Sequence, residues 1–140
     1  MTIANEANIT TKTIMLIDEE VNVREIVELC LKDLAGWNVI IADSPLNGLR
    51  IAALYHPDAI ILDVSMQGMN SFRFMNKLRS NPETEAIPVV VLSAKARWID
   101  SRILQQYKIA GVILKPFDPV KITNQITALL GWDLIMPVES

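Results

Sequence analysis

The stretch Ala59-Ile60-Ile61-Leu62-Asp63-Val64-Ser65-Met66 decides how the rest of the chain is read. Four apolar residues run into one carboxylate, and small, loop-like chemistry follows. A run of that length without polar alternation fits a strand buried on both faces, as in a parallel sheet. Such a strand delivers its last residue to the carboxyl-end rim, where open α/β sheets bind ligands. Asp63 is therefore either a placed functional group or an ordinary strand-ending Asp that opens a turn. The flanking sequence has to separate the two.

Outward from that strand, short apolar runs alternate with helical periodicity. Ile14–Ile17 and Val39–Ala42 read as two strands upstream, with Ile87–Leu92 and Val112–Leu114 as two more downstream. Between the first pair, Val23, Ile26, Val27, Cys30, Leu31 and Leu34 recur at helical spacing, and Gly36 supplies the stop. Ser44-Pro45 is an N-cap followed by proline at the first helical position, opening a helix to Tyr55. Ser71–Arg79 reads as a helix with Phe72, Met75 and Leu78 inward. Another spans Trp98–Tyr107. A last one is capped by Asp118-Pro119, carries Ile122, Ile126, Leu129 and Leu130 inward, and stops at Gly131. Strict alternation with short connections implies parallel strands, right-handed crossovers and a three-layer α/β sandwich. Residues 1–11 read as an N-terminal tail, 12–131 as one domain, and 132–140 as a C-terminal tail with Trp132, Leu134, Ile135 and Met136 available for packing.

Composition narrows the function classes. The 140 residues carry a net charge of −3, with basic residues scattered rather than clustered, which argues against a nucleic-acid surface. The single Cys30 excludes an internal disulfide and a cysteine metal cluster, and its apolar surroundings predict helix packing. Neither a signal peptide nor a membrane-length apolar run is present in the sequence given, so a cytoplasmic location without membrane contact is expected. The one histidine, His56, falls in a turn away from the rim.

In a parallel sheet, all strand ends share one rim. Four of the five predicted strands end there in functional groups: Asp18 and Glu19, Asp63, Ser93, and Lys115. Clustered carboxylates raise one another's pKa unless a cation lies between them. An all-oxygen acidic cluster suits Mg²⁺, which uses one or two carboxylates and keeps several waters. A nearby amine and hydroxyl are the donors that a bound phosphoryl group needs.

With these residues in place, the chain resembles the receiver domains of two-component response regulators from about Thr13 to Leu130. The resemblance rests on Asp18-Glu19, Arg24, Ile61-Leu62-Asp63-Val64, Met66, Met69, Ser93-Ala94 and Lys115-Pro116-Phe117-Asp118. The intervals agree as well: 44 residues from Glu19 to Asp63, 30 from Asp63 to Ser93, and 22 from Ser93 to Lys115. The resemblance implies the flavodoxin-like strand order 2-1-3-4-5, which the chemotaxis member of that family exemplifies. It also implies that Asp63 accepts a phosphoryl group from a histidine kinase or phosphotransfer protein. Mg²⁺ would be held by Asp18, Glu19, Asp63 and Ser65, with Lys115 on the phosphoryl oxygens and Ser93 donating a hydrogen bond after modification. The expected output is contact with a downstream protein effector, with no separate output domain, and the apolar tail leaves a homodimer open. At most, the chain would be an Mg²⁺-dependent phosphoacceptor with self-dephosphorylation.

Several positions depart from the family pattern. The second acid is Glu19 rather than Asp, which sets its carboxylate about 1.5 Å further out. The loop after Asp63 reads Met66-Gln67-Gly68-Met69-Asn70-Ser71, without its usual proline. Val112 replaces the customary aromatic three residues before Lys115, and Lys108 stands where a glycine is common. These departures motivate an alternative function, a pseudo-receiver that binds proteins independently of phosphorylation. A flavin-binding domain of the same topology is disfavoured, because Asp18-Glu19-Glu20 would repel the flavin phosphate.

Overall fold

Apolar alternation and helix punctuation resolve, in a computed structural model, into five parallel strands and five helices. The structure describes residues 11–18, 21–63, 68–93 and 101–132. In chain order the elements are β1 (Thr13–Ile17), α1 (Val21–Ala35), β2 (Asn38–Ala42), α2 (Pro45–Tyr55) and β3 (Ala59–Asp63). They continue with α3 (Gly68–Ser80), β4 (Val89–Ser93), α4 (Ser101–Tyr107), β5 (Ile109–Leu114) and α5 (Ile122–Leu130). The strand order is β2-β1-β3-β4-β5, as expected.

The three central strands are buried on both faces because helices cover both. One core layer joins Met15, Ile17, Ile60, Leu62, Val89 and Val91 to Ala52 of α2 and to Phe74, Met75 and Leu78 of α3. The opposite layer joins Ile14, Leu16, Ile61, Val90 and Leu92 to Val27 and Leu31 of α1 and to Ile122 and Ile126 of α5. Successive residues of each strand thus feed alternate layers, the period-two rule of a pleated sheet.

The punctuation acts as the sequence predicts at most boundaries. The Ser44 hydroxyl accepts from the Asn47 N–H at 3.2 Å, and Pro45 follows at the first helical position. Gly36 and Gly131 adopt φ of 70° and 71° after α1 and α5, the left-handed termination that glycine permits. Gly111 serves a different need. A Cβ there would meet the Leu129 side chain at 2.4 Å, so its absence lets α5 pack closely on β5.

Three local expectations are corrected. Pro88 has no N–H to give; its carbonyl accepts from Ile60 at 2.9 Å, and the strand starts at Val89 rather than Ile87. Asp118-Pro119 forms a turn, in which Asp118 Oδ1 accepts from the Val120 N–H, and α5 begins only at Ile122 with no side-chain cap. Within α3 the deeply buried aromatic is Phe74, not Phe72. Phe72 lies on the other flank and stacks on Tyr107 at 5.4 Å between ring centroids.

Arg79 ties the lower end of this assembly together. Its guanidinium donates to the carbonyls of Glu85, Ile87, Tyr107 and Lys108 at 2.7–3.0 Å, linking α3 to the entrances of β4 and β5. Burial lowers the Arg79 pKa from its usual value. Lys108, one of those acceptors, has a left-handed φ of 55°.

Candidate functional site

The ladder registers place the polar strand ends together. Ile17 pairs with Leu62, Asp63 with Leu92, and Ser93 with Leu114. Asp18, one residue past β1, therefore stands at the level of Asp63 on the neighbouring strand. Lys115 follows directly after β5. Backbone bonds continue the sheet through both positions: the Asp18 N–H donates to the Ala42 carbonyl at 3.3 Å and the Lys115 N–H to the Ser93 carbonyl at 2.8 Å. These side chains start from backbone held by the sheet, not from free loops. The peptide bond after Lys115, to Pro116, is cis.

One contact dominates the rim. Lys115 Nζ donates to Asp63 Oδ2 in a close ion pair, across 52 residues of sequence. The Asp63 side chain is 1 % exposed and that of Lys115 15 %, so the carboxylate is sealed while the ammonium keeps a path to solvent. Asp18 and Ser93 are likewise buried. A buried carboxylate is tolerated only where charge and hydrogen bonds compensate its desolvation. Lys115 compensates one oxygen. Asp63 Oδ1 is buried and accepts no hydrogen bond among the described residues. An oxygen left so, beside the buried Asp18 carboxylate on the adjacent strand end, fits a hard cation that prefers oxygen ligands. Among the described residues no three His, Cys, Asp or Glu side chains gather as a metal cage. Two carboxylates with water completing the shell are nonetheless the usual protein contribution for Mg²⁺.

Of the residues singled out from sequence, Asp63 and Lys115 touch, and Asp18 and Ser93 occupy adjoining strand ends. Glu19, Ser65, Lys95 and Trp98 lie outside the described residues. His56 closes α2, next to Asp58, whose carboxylate accepts from the Thr13 N–H at the opposite end of the sheet. Cys30 is partly buried in the α1 packing, where desolvation, then Asp33 and Asp118, push its thiol pKa up. Sequence reasoning did not anticipate the Arg79 clamp or the Phe72–Tyr107 stack. The clamp had no available signal, because a helix-ending Arg ordinarily reads as a solvated charge favoured by the dipole.

Residues 14–127 match the model of the response regulator receiver domain. The chain belongs to that family. The receiver domain is 31 % identical over 122 residues to the probable transcriptional regulator ycf29 of Pyropia yezoensis, covering 87 % of this chain and 54 % of that protein. It is 27 % identical to the polar-differentiation response regulator DivK of Brucella ovis, covering 86 % of this chain and 98 % of DivK. The chain spans about half the length of the first curated relatives it matches. Its fold is also that of the receiver domain of the sensor histidine kinase PA1611 from Pseudomonas aeruginosa, a structure with magnesium in its active-site cleft. That likeness has a TM-score of 0.74 at 20 % identity and covers 87 % of this chain and 99 % of the other. Among the described residues, no helix is long and apolar enough to cross a membrane.

Proposed function

We propose that this receiver domain accepts a phosphoryl group on Asp63 from a histidine kinase or phosphotransfer protein and signals through contacts that depend on the modification. The observation carrying this reading is the Asp63–Lys115 pair at the rim, with the second Asp63 oxygen buried and, among the described residues, without a hydrogen-bond partner. A carboxylate is a weak nucleophile, so the site must hold it in line and compensate the charge on the incoming group. In the transfer, an Asp63 oxygen forms the new O–P bond while the P–N bond to the donor imidazole breaks, its electron pair returning to nitrogen. Lys115 then moves its charge from the free carboxylate to the phosphoryl oxygens, a short displacement for a side chain already at the site. The Ser93 hydroxyl donates to the same oxygens and so links modification to the β4–α4 connection.

Asp18 and Asp63, with Glu19 and Ser65 expected from sequence, would hold Mg²⁺. Bound there, the ion would supply positive charge against the phosphoryl oxygens. The PA1611 receiver domain, with magnesium in its cleft, supports that assignment by similarity of fold.

Acetyl phosphate with Mg²⁺ provides the test. The expected result is a mass gain of one phosphoryl group that is stable in acid, labile in base, abolished by EDTA and absent from Asp63→Asn. No gain from acetyl phosphate or from a phosphorylated kinase would instead favour phosphorylation-independent protein binding.

A further inference from the structure

Helices α2 and α3 leave a groove of about 340 Å³ between them, lined by Ser44, Pro45, Leu46, Leu49, Phe74 with Arg73 and Lys77. Phe74 forms its closed floor, whereas Leu46 on the lip is 75 % exposed. Arg73 and Lys77 stand one helical turn apart on the α3 side. Both are exposed, and neither forms an ion pair among the described residues. Like charges at this spacing repel and cost an isolated helix a few tenths of a kcal/mol. Two uncompensated cations beside an exposed leucine make a surface that gains from an anionic, apolar occupant.

The chain itself carries the complementary surface. On α1, Glu25, Leu29 and Asp33 follow at four-residue intervals with Ile26 beside them, so they form one exposed stripe. Ile26 and Leu29 are among the exposed large hydrophobic side chains. The acids of that stripe are unpaired among the described residues, while Glu28 and Lys32 bond each other on the opposite flank. We propose that the α2/α3 groove of one copy receives the α1 stripe of a second, with Ile26 and Leu29 against Leu46, Leu49 and Phe74 and the acids facing Arg73 and Lys77. Because α1 covers one face of the sheet and α2 and α3 the other, the two surfaces differ. The contact is heterologous and propagates head to tail. A small, charge-steered interface of this kind is weak and weakens further with salt. It does not depend on phosphorylation of Asp63, so either reading can fail without the other.

Sedimentation of the unmodified full chain, from micromolar to millimolar concentration at low salt, tests it. The weight-average mass of the wild type is expected to rise with concentration. The groove variant Arg73→Glu/Lys77→Glu and the stripe variant Glu25→Lys/Asp33→Lys, each folded by circular dichroism, are expected to stay monomeric alone. Mixed in equal amounts, these two present opposite charges to each other at both contacts, groove of one against stripe of the other, and are expected to associate; a mixture that stays monomeric would overturn the proposal. The variant joining all four charge reversals restores opposite charges across the contact and associates again. A wild type that stays monomeric throughout, association of either double variant on its own, or a fourfold variant that does not recover it would likewise overturn the proposal.

Discussion

Asp63 and Arg79 show two ways in which this chain keeps a charge out of water. Among the described residues, Asp63 is compensated by one cation and retains an unbonded oxygen, so it has capacity left for a ligand. Arg79 is compensated by four backbone carbonyls and has little capacity for anything else. The first arrangement suits a reactive site and the second a structural clamp. Removing the clamp leaves four carbonyls to find water, two of them in partly buried surroundings. Arg79→Ala is expected to lower stability to urea by about 3 kcal/mol, from the worth of hydrogen bonds to charged groups. Arg79→Lys is expected to recover only a minor part, since one ammonium cannot span four carbonyls set around a planar fork. Equilibrium unfolding of the three proteins measures both effects.

At the scale of elements, close approach matters more than propensity. Gly111 admits the Leu129 side chain where a Cβ would stand 2.4 Å from Cδ2 and 2.9 Å from Cγ. Gly111→Ala is expected to push α5 from β5 and to cost about 1–3 kcal/mol, the usual range for overpacking. A thermal or urea melt would check the cost. The element pattern itself was legible. Unbroken apolar runs named the strands, while Ser44-Pro45, Gly36 and Gly131 named helix ends because each residue has one dominant conformational reason to be there. Asp118-Pro119 misled because the same pair serves a helix cap and a tight turn. Phe72 misled because spacings of three and four residues suit either phenylalanine on α3, and only packing selects Phe74. At the rim, the rule that parallel strands all end on one edge made the joint placement of Asp18, Asp63, Ser93 and Lys115 readable. The resemblance put Lys115 on the phosphoryl oxygens; its direct pairing with the unmodified Asp63 was not anticipated, since no local pattern links residues so far apart in sequence.

For the whole molecule, the sheet divides the labour. Its carboxyl-end rim gathers charge on backbone fixed by the ladder, while its opposite end is held by Arg79 and by the Trp37–Trp132 contact, edge to face at 5.5 Å. Val112, three residues before Lys115, packs against the core layer shared with Tyr107. The stack of Phe72 on Tyr107 connects α3, the helix that follows the Asp63 loop, to α4. The central claim nevertheless rests on one carboxylate, and its most direct test locates the modification chemically. After reaction with acetyl phosphate and Mg²⁺, borohydride reduces an acyl phosphate to the alcohol, and trypsin releases the peptide Ile51–Arg73, whose acids are Asp58 and Asp63. Sequencing that peptide by mass spectrometry is predicted to find the reduced residue at Asp63 alone. Reduction at Asp58, at another acid of the chain, or nowhere would contradict the account.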